Sequence, residues 1–504
     1  MTTPQIVEPV RYGNLRNPRR PGVAGLSLAA TVLAGSSALA VVTSMMAFNL
    51  ATAGVVLVVA VVVLAPLVQT DREGRIGYQR IVARLRHRRA AKAGRTTYVA
   101  GPASTGTPDG RTRLPGLAAA TELLEGHDVY GTPFAVLHTK ATDHYSVVFQ
   151  GEADGDDLVD QSVTDAQVAH WGGWLARLGQ EADVAAASVT VETAPDPGTR
   201  LTRMIRGHQQ PGAPEFAATT LDEIVANYPS ASSIITTRIA MTFTGKARSD
   251  ETRRSPAQML EYLARVVPGY RNHLRVTGAG TSVRMMSAAD LTDAIRVCFD
   301  PSVSQLVDEQ RAENPNGTGL TWSEAGPAFA QEHPDRYAHD GAFSMVWQMR
   351  QPPTGVFTDT VLKALLAPHP DIARKRVTII YRPESAEAAA TIVERDVRDA
   401  NTIMTGKARA QHRDSTALRA ANKAASEEAE GAGLVRFGMI VTATVTTEAG
   451  LQRAASTINQ LSAPVKLRLR LARHNQAAAF TAGLPLGLVL PAHLLLPDML
   501  RDAL

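Results

Sequence analysis

Residues able to do chemistry are sparse in this 504-residue chain, and their spacing says what they can do. The segment from Glu332 to Asp340 holds His333, His339 and Asp340, which could serve as metal ligands or as a general base with its orienting carboxylate. The competing reading is loop polarity, since Pro334 and Asp335 break the segment. Cys298 is the single cysteine, which excludes an intramolecular disulfide and any cysteine-based zinc site. It lies in the apolar-periodic stretch from Leu291 to Phe299, where a buried helical thiol is expected.

Phosphate chemistry is excluded more firmly. A P-loop needs an upstream glycine and a Ser or Thr after the Gly-Lys pair, so that backbone amides cradle phosphate and the hydroxyl reaches magnesium. Gly245-Lys246 and Gly406-Lys407 are each followed by alanine and lack that glycine. Gly278-Ala279-Gly280 opens like a dinucleotide fingerprint, but Val283 stands at the third glycine position, which leaves a turn. No nucleophile elbow and no zincin helix occurs. The chain is therefore read as non-catalytic, with no cofactor and no metal. Trp171 and Trp174 share a helical face as core anchors, and Gly172-Gly173 between them would allow close packing against a neighbour.

The elements that must carry these residues begin with an uncharged stretch from Pro21 to Thr70. About 20 apolar residues cross a bilayer, so this length suits two helices, Val23 to Ala47 and Leu50 to Val68, turning at Phe48-Asn49. Four arginines precede the pair and a run of basic residues from Arg72 to Arg95 follows it. The positive-inside rule then places both termini and the bulk of the chain in the cytoplasm, anchored to the plasma membrane by a two-helix transmembrane hairpin. A secretory signal ending near Ala38-Leu39-Ala40 is the rival. Arg80, Arg84 and Arg88 recur every fourth residue, and with Arg89 they form a candidate membrane-surface face. An ordinary stop-transfer flank would look the same.

Beyond the hairpin (1–20 a basic tail, 21–70 the helices, 71–113 a basic segment and linker), the fold class is α+β. Residues 114–300 read as one half and 371–504 as a second, separated at 301–370 by an irregular insertion or a strand-rich connection. A β-α-β-β-α-β order suggests ferredoxin-like halves. Thr244 to Arg248 repeats as Thr405 to Arg409, which suggests a duplication. The second half carries a charge-rich helical arm, 409–430. The net charge of +4 and mean hydropathy of −0.08 imply neither a polyanion partner for the whole chain nor a polytopic membrane protein. Short clusters such as Arg253-Arg254 and Arg374-Lys375-Arg376 read as solvated faces, so no direct nucleic-acid binding is expected.

Several motifs carry a resemblance: Tyr12 to Gly22, the helix pair, Arg113 to Gly116, His170 to Trp174 and Val189 to Pro195. Together they resemble a family of actinobacterial membrane proteins encoded in conjugative or integrative elements beside a large secretion ATPase. The tail from Arg473 to Gly487 is similar to the end of the non-catalytic amino-terminal domain of type IV secretion assembly ATPases. The helix pair resembles the small inner-membrane subunit that some systems fuse to that ATPase. The motor itself is missing, so hydrolysis is not carried over. The resemblance implies a platform that docks a separate secretion ATPase and contacts lipid and other channel subunits. Gln476, Phe480, Leu484 and Pro485, with the arm, are the expected partner contacts. A subunit of a type VII-like secretion complex and a membrane-anchored enzyme built on His339 and Asp340 are the alternatives.

Overall fold

The computed structural model describes residues 10–494 apart from 14, 16–27, 48, 70, 72–73, 103, 105–108, 153–158, 197–198, 211, 228–232, 247–251, 280–281, 315, 354–356, 407–411 and 466. The chain opens with α1 (Leu28–Ala47) and α2 (Leu50–Val68), paired as a hairpin. Asn49 caps α2 by accepting from Thr52 N at 2.9 Å, and the Thr52 side chain answers the cap's own amide.

The helices fall where hydropathy places them, but the membrane assignment is corrected. Among the described residues no helix is long and apolar enough to cross a membrane. The transmembrane hairpin, the multi-pass plasma-membrane placement and the inner-membrane role built on them are withdrawn.

After α2 the chain turns into α3 (Gly77–Lys92) and β1 (Thr97–Val99). The first half then runs through β2 (Thr121–His127), β3 (Pro133–Thr139), β4 (His144–Gly151), α4 (Gln161–Gln180) and β5 (Val184–Pro195). It continues with α5 (Thr199–His208), α6 (Glu215–Asn227), β6 (Ser233–Thr244), α7 (Pro256–Leu274), β7 (Arg284–Met285) and α8 (Ala288–Phe299). A connector, α9 (Ser304–Glu313), leads to β8 (Phe329–Glu332), β9 (Tyr337–His339), β10 (Ala342–Gln351), α10 (Lys363–Leu366) and β11 (Arg374–Pro383). The chain ends through α11 (Ala386–Thr405), α12 (His412–Ala429), β12 (Val435–Val445), α13 (Gly450–Ser462), β13 (Arg468–Leu471) and α14 (Gln476–Ala482).

All strands join one antiparallel sheet in the order β1-β8-β9-β10-β12-β11-β5-β6-β4-β3-β2, with β7 added on β4 and β13 on β10. Within it, β4-α4-β5-β6-α7-β7 is arranged spatially as β5-β6-β4-β7, the split β-α-β order. β10-α10-β11-β12-α13-β13 repeats that arrangement as β11-β12-β10-β13. The stretch 301–370, read as an irregular insertion or a strand-rich connection, supplies β8, β9 and β10, so the second half begins near Phe329.

Strand register makes the duplication exact in position. Ser146 faces Thr242 across β4 and β6, and Ser344 faces Thr444 across β10 and β12. Met286 N donates to Val148 O, while Ala472 N donates to Val346 O, both at 2.9 Å. A pseudo-two-fold axis relates the halves and passes through the β5–β11 pair at Thr190 and Thr378, which face each other. The Thr244 and Thr405 pentapeptides are not equivalent, however: the first closes a strand and the second begins at the end of α11.

One face of the sheet carries separate cores for the halves. Trp174, Leu178, Met259 and Leu263 cover the first half, and Leu365, Leu451, Ala454 and Ile458 the second. The other face carries a single shared core. Leu137, Val148 and Ala240 from the first half join Val346 and Ile440 from the second beneath α8, α14 and the segment after it. The two halves are thus packed as one body.

Candidate functional site

A cleft of about 1150 Å³ lies between α3 and the folded body. Two glycines let α3 reach it. Gly77 N donates to Gln69 O at 2.9 Å, and a Cβ on Gly77 would stand 2.9 Å from Pro66 O, so the α2–α3 corner closes only around glycine. Gly74 adopts φ 74 directly under the Arg350 guanidinium of β10, at a point where a Cβ would collide with it. Arg75 then donates to Leu471 O and ties the corner to β13.

With α3 fixed, its four-residue spacing points Arg80, Arg84 and Arg88 along one line. All three line the cleft, with Arg75 beside them and Arg473 opposite. Asp71, 3.5 Å from Arg80, is the only carboxylate among the described lining residues. Arg84 and Arg88 make no hydrogen bond or ion pair among the described residues. The charges of Arg84 and Arg88, without a partner among the described residues, raise the local potential in the cleft and favour an anion.

His474 and His87 complete the wall, with ring centroids 5.2 Å apart. His474 sits at φ 65, held by its amide donating to Pro334 O at 2.7 Å. Its Nδ1 is buried without a partner. Burial, then His87, Arg84 and the neighbouring arginines, push its pKa below the ordinary histidine value. An anion in the cleft would reverse that shift by favouring the imidazolium.

Of the proposed membrane-surface arginines, Arg80, Arg84 and Arg88 therefore face a cleft in the protein, and Arg89 is exposed outside it. The expected partner contacts are corrected further. Gln476, Phe480, Leu484 and Pro485 are buried, the first three at 0%, 0% and 1% exposure. Gln476 bonds both backbone groups of Val346, and Phe480 packs against Phe299 and Tyr337. Thr378 Oγ1 donates to Gly483 O at 2.9 Å, and Thr242 Oγ1 to Gly487 O at 2.6 Å. This tail is a bolt laid across both halves of the sheet, and a partner has no access to it. The arm is α12, which packs against α11 as a helical hairpin and buries Ala421. Residues 409–411 lie outside the described residues.

The enzyme reading loses its residues. His339 is fully buried, its Nδ1 donating to Phe299 O and its Nε2 accepting from Ser344 Oγ at 2.7 Å. Ser344 is bonded in turn to Thr444 at 2.7 Å. Both ring nitrogens are spent on structure, and burial lowers the pKa to about 4. Asp340 accepts from the Ala328 and Phe329 amides and pairs with Arg296 at 2.9 Å. His333 lies in the β8–β9 turn, where its amide donates to Arg336 O. Cys298 is a buried thiol whose pKa is raised by burial. Trp171 and Trp174 stack at 4.7 Å and do anchor α4, Trp171 reaching Tyr381 across the pseudo-two-fold axis. Gly172 and Gly173 face open space instead of a close neighbour.

The cleft was accessible to sequence reasoning only in part. The arginine spacing on α3 was visible, but Arg473 and His474 lie far along the chain and carry no local signal.

A family model described as a domain of unknown function (DUF8461) matches residues 19–79, which take in α1, α2 and the first turn of α3. No curated protein matches the chain.

Proposed function

We propose that this chain is a non-catalytic docking subunit that holds a separate secretion ATPase of a type IV-like, conjugative apparatus. The α3 cleft carries the reading. It is large and open, its lining is cationic, and Arg84 and Arg88 are unneutralised among the described residues. Such a surface takes an acidic segment of a partner and steers its approach. The class of partner rests on the sequence resemblance of the tail and the opening motifs. Burial of the tail's side chains favours the cleft over the tail as the contact surface.

The consumption of His339, Asp340 and Cys298 in packing and hydrogen bonding favours binding over catalysis. The test is co-expression of the full-length chain with the secretion ATPase encoded beside it, followed by affinity purification. Recovery of the ATPase with the unaltered chain, and its loss with Arg84→Glu/Arg88→Glu, is the expected result. Equal recovery with both chains would remove the cleft from the account, and no recovery with either would remove the ATPase.

A further inference from the structure

A second set of charges lies on the shared-core face, away from the cleft. Glu192 on β5 is surrounded by Arg238 on β6 and by Arg374 and Arg376 on β11. The side chains are 5%, 10%, 10% and 1% exposed, respectively. Arg374 Nη1 donates to Glu192 Oε1 at 2.6 Å, and Arg238 Nη1 to the same oxygen at 3.3 Å. Arg376 Nη1 reaches Oε2 only at 3.5 Å, alongside Cys298 Sγ at the same distance. The Arg376 guanidinium lies 4.8 Å from the centre of the Phe480 ring.

Three guanidiniums thus share one carboxylate. Asp308 on α9, half-buried and within electrostatic reach of Arg374, Arg311 and Arg203, supplies at most a second negative charge, so at least one positive charge is unmatched among the described residues. The donors show the same deficit. Nε of Arg238, Arg374 and Arg376 and Nη2 of Arg376 are buried with no hydrogen-bond partner. An unpaired buried charge is strongly destabilising, and a completing counter-charge relieves it.

The pseudo-symmetry excludes a requirement of the fold. Arg376 faces Glu192 across β5–β11, and the axis carries that pair onto Ser188 facing Ile380. Arg374 faces Thr444, and its counterpart Ala186 faces Thr242. Arg238 faces Thr190, and its counterpart Ile440 faces Thr378. The same architecture is built on the other side with no charge at all. The charged version is an addition to one half.

We propose that the Arg238–Arg374–Arg376 cluster binds one small monovalent anion of halide size, held by the free donors of Arg376 and the neighbouring guanidiniums. The monovalent class follows from the charge count and from Glu192, whose carboxylate would repel a multiply charged ion in the same cluster. The small size follows from burial, since Arg376 is enclosed between the sheet and Phe480.

Thermal unfolding of the purified full-length chain tests this in sodium chloride, sodium bromide and sodium gluconate at equal ionic strength. Chloride and bromide are expected to raise Tm over gluconate saturably, by about 2 °C or more. Arg376→Met is expected to abolish the difference. Equal Tm in all three salts, or a halide effect that Arg376→Met retains, overturns the site. If that variant does not fold, anomalous scattering from crystals of the unaltered chain grown in bromide decides. A peak within hydrogen-bond reach of Arg376 Nη2 supports the site, and no peak there overturns it.

Discussion

Thr190 on β5 and Thr378 on β11 face each other at the pseudo-two-fold axis, their hydroxyls 3.0 Å apart. Thr378 Oγ1 donates its proton to Gly483 O, so the Thr190 hydroxyl must be the donor between the two. One hydroxyl thus joins both halves of the sheet and the C-terminal segment laid over them. Thr378→Val leaves the buried Gly483 carbonyl without its donor and Thr190 without an acceptor, a loss of about 2–3 kcal/mol. Thr190→Val removes only the outer donor, a loss of about 1 kcal/mol. Urea unfolding of the two variants checks the order, and equal losses would mean that the tail is not held at this point.

The same segment predicts a glycine requirement. Gly487 has φ 65, and a Cβ there would stand 2.4 Å from Thr242 Oγ1 and 2.7 Å from Ser146 Oγ. Gly483 has an ordinary φ, and its Cβ would meet Thr442 Oγ1 at 3.1 Å. Gly487→Ala should cost about 2–4 kcal/mol, from backbone strain and overpacking together, and Gly483→Ala about 1 kcal/mol. Chemical denaturation of both variants gives the comparison.

Acid should weaken the fold through its buried histidines. His339 and His144 both have folded pKa values lowered to about 4 by burial, with His493 adding to the effect at His144. The unfolded chain takes up their protons near pH 6.5, and the folded chain does not until about pH 4. Stability is therefore full above pH 6.5 and falls as pH drops through that window, by about 3 kcal/mol for His339 alone. Glu192 acts in the same sense at lower pH. Burial would raise its carboxyl, but Arg374, Arg238 and Arg376 hold it well below the usual range, so its contribution is lost as pH falls below the unfolded carboxylate value. A stability profile from pH 8 to 4 that stays flat would contradict the buried placement of His339.

Local pattern made many of the elements readable, and long-range pairing hid the rest. The Pro133 to Gly151 hairpin, the strands around Val189 and Ile379, and the helices at α7, α11 and α14 follow from alternation, helical period and Ser caps at Ser255 and Ser385. The strands β8 and β9 were hidden because they are only four and three residues long and set apart by Pro334 and Gly341, and pairing with each other and with β10 makes them regular. The tail showed the opposite problem. Its apolar spacing was visible, but a surface strip and a buried bolt have the same spacing, and only Thr242 and Thr378 across the sheet distinguish them. The membrane assignment rested on hydropathy, and among the described residues no helix is long and apolar enough to cross a membrane.

Arg84 and Arg88 are exposed and have no partner among the described residues, so their reversal should leave the fold intact while changing what binds. Arg84→Glu/Arg88→Glu is expected to unfold within about 0.5 kcal/mol of the unaltered chain, the usual range for surface positions. A larger loss would mean that α3 is held by these side chains, and the corner formed by Gly77 and Arg75 would not be sufficient.

The most direct test of the docking account is a titration of the purified secretion ATPase against the full-length chain at two salt concentrations. Cationic docking through the cleft predicts binding that weakens as salt rises and falls at least tenfold in Arg84→Glu/Arg88→Glu, about 1.4 kcal/mol. Affinity that is unchanged by salt and by the double reversal would contradict the cleft as the docking surface.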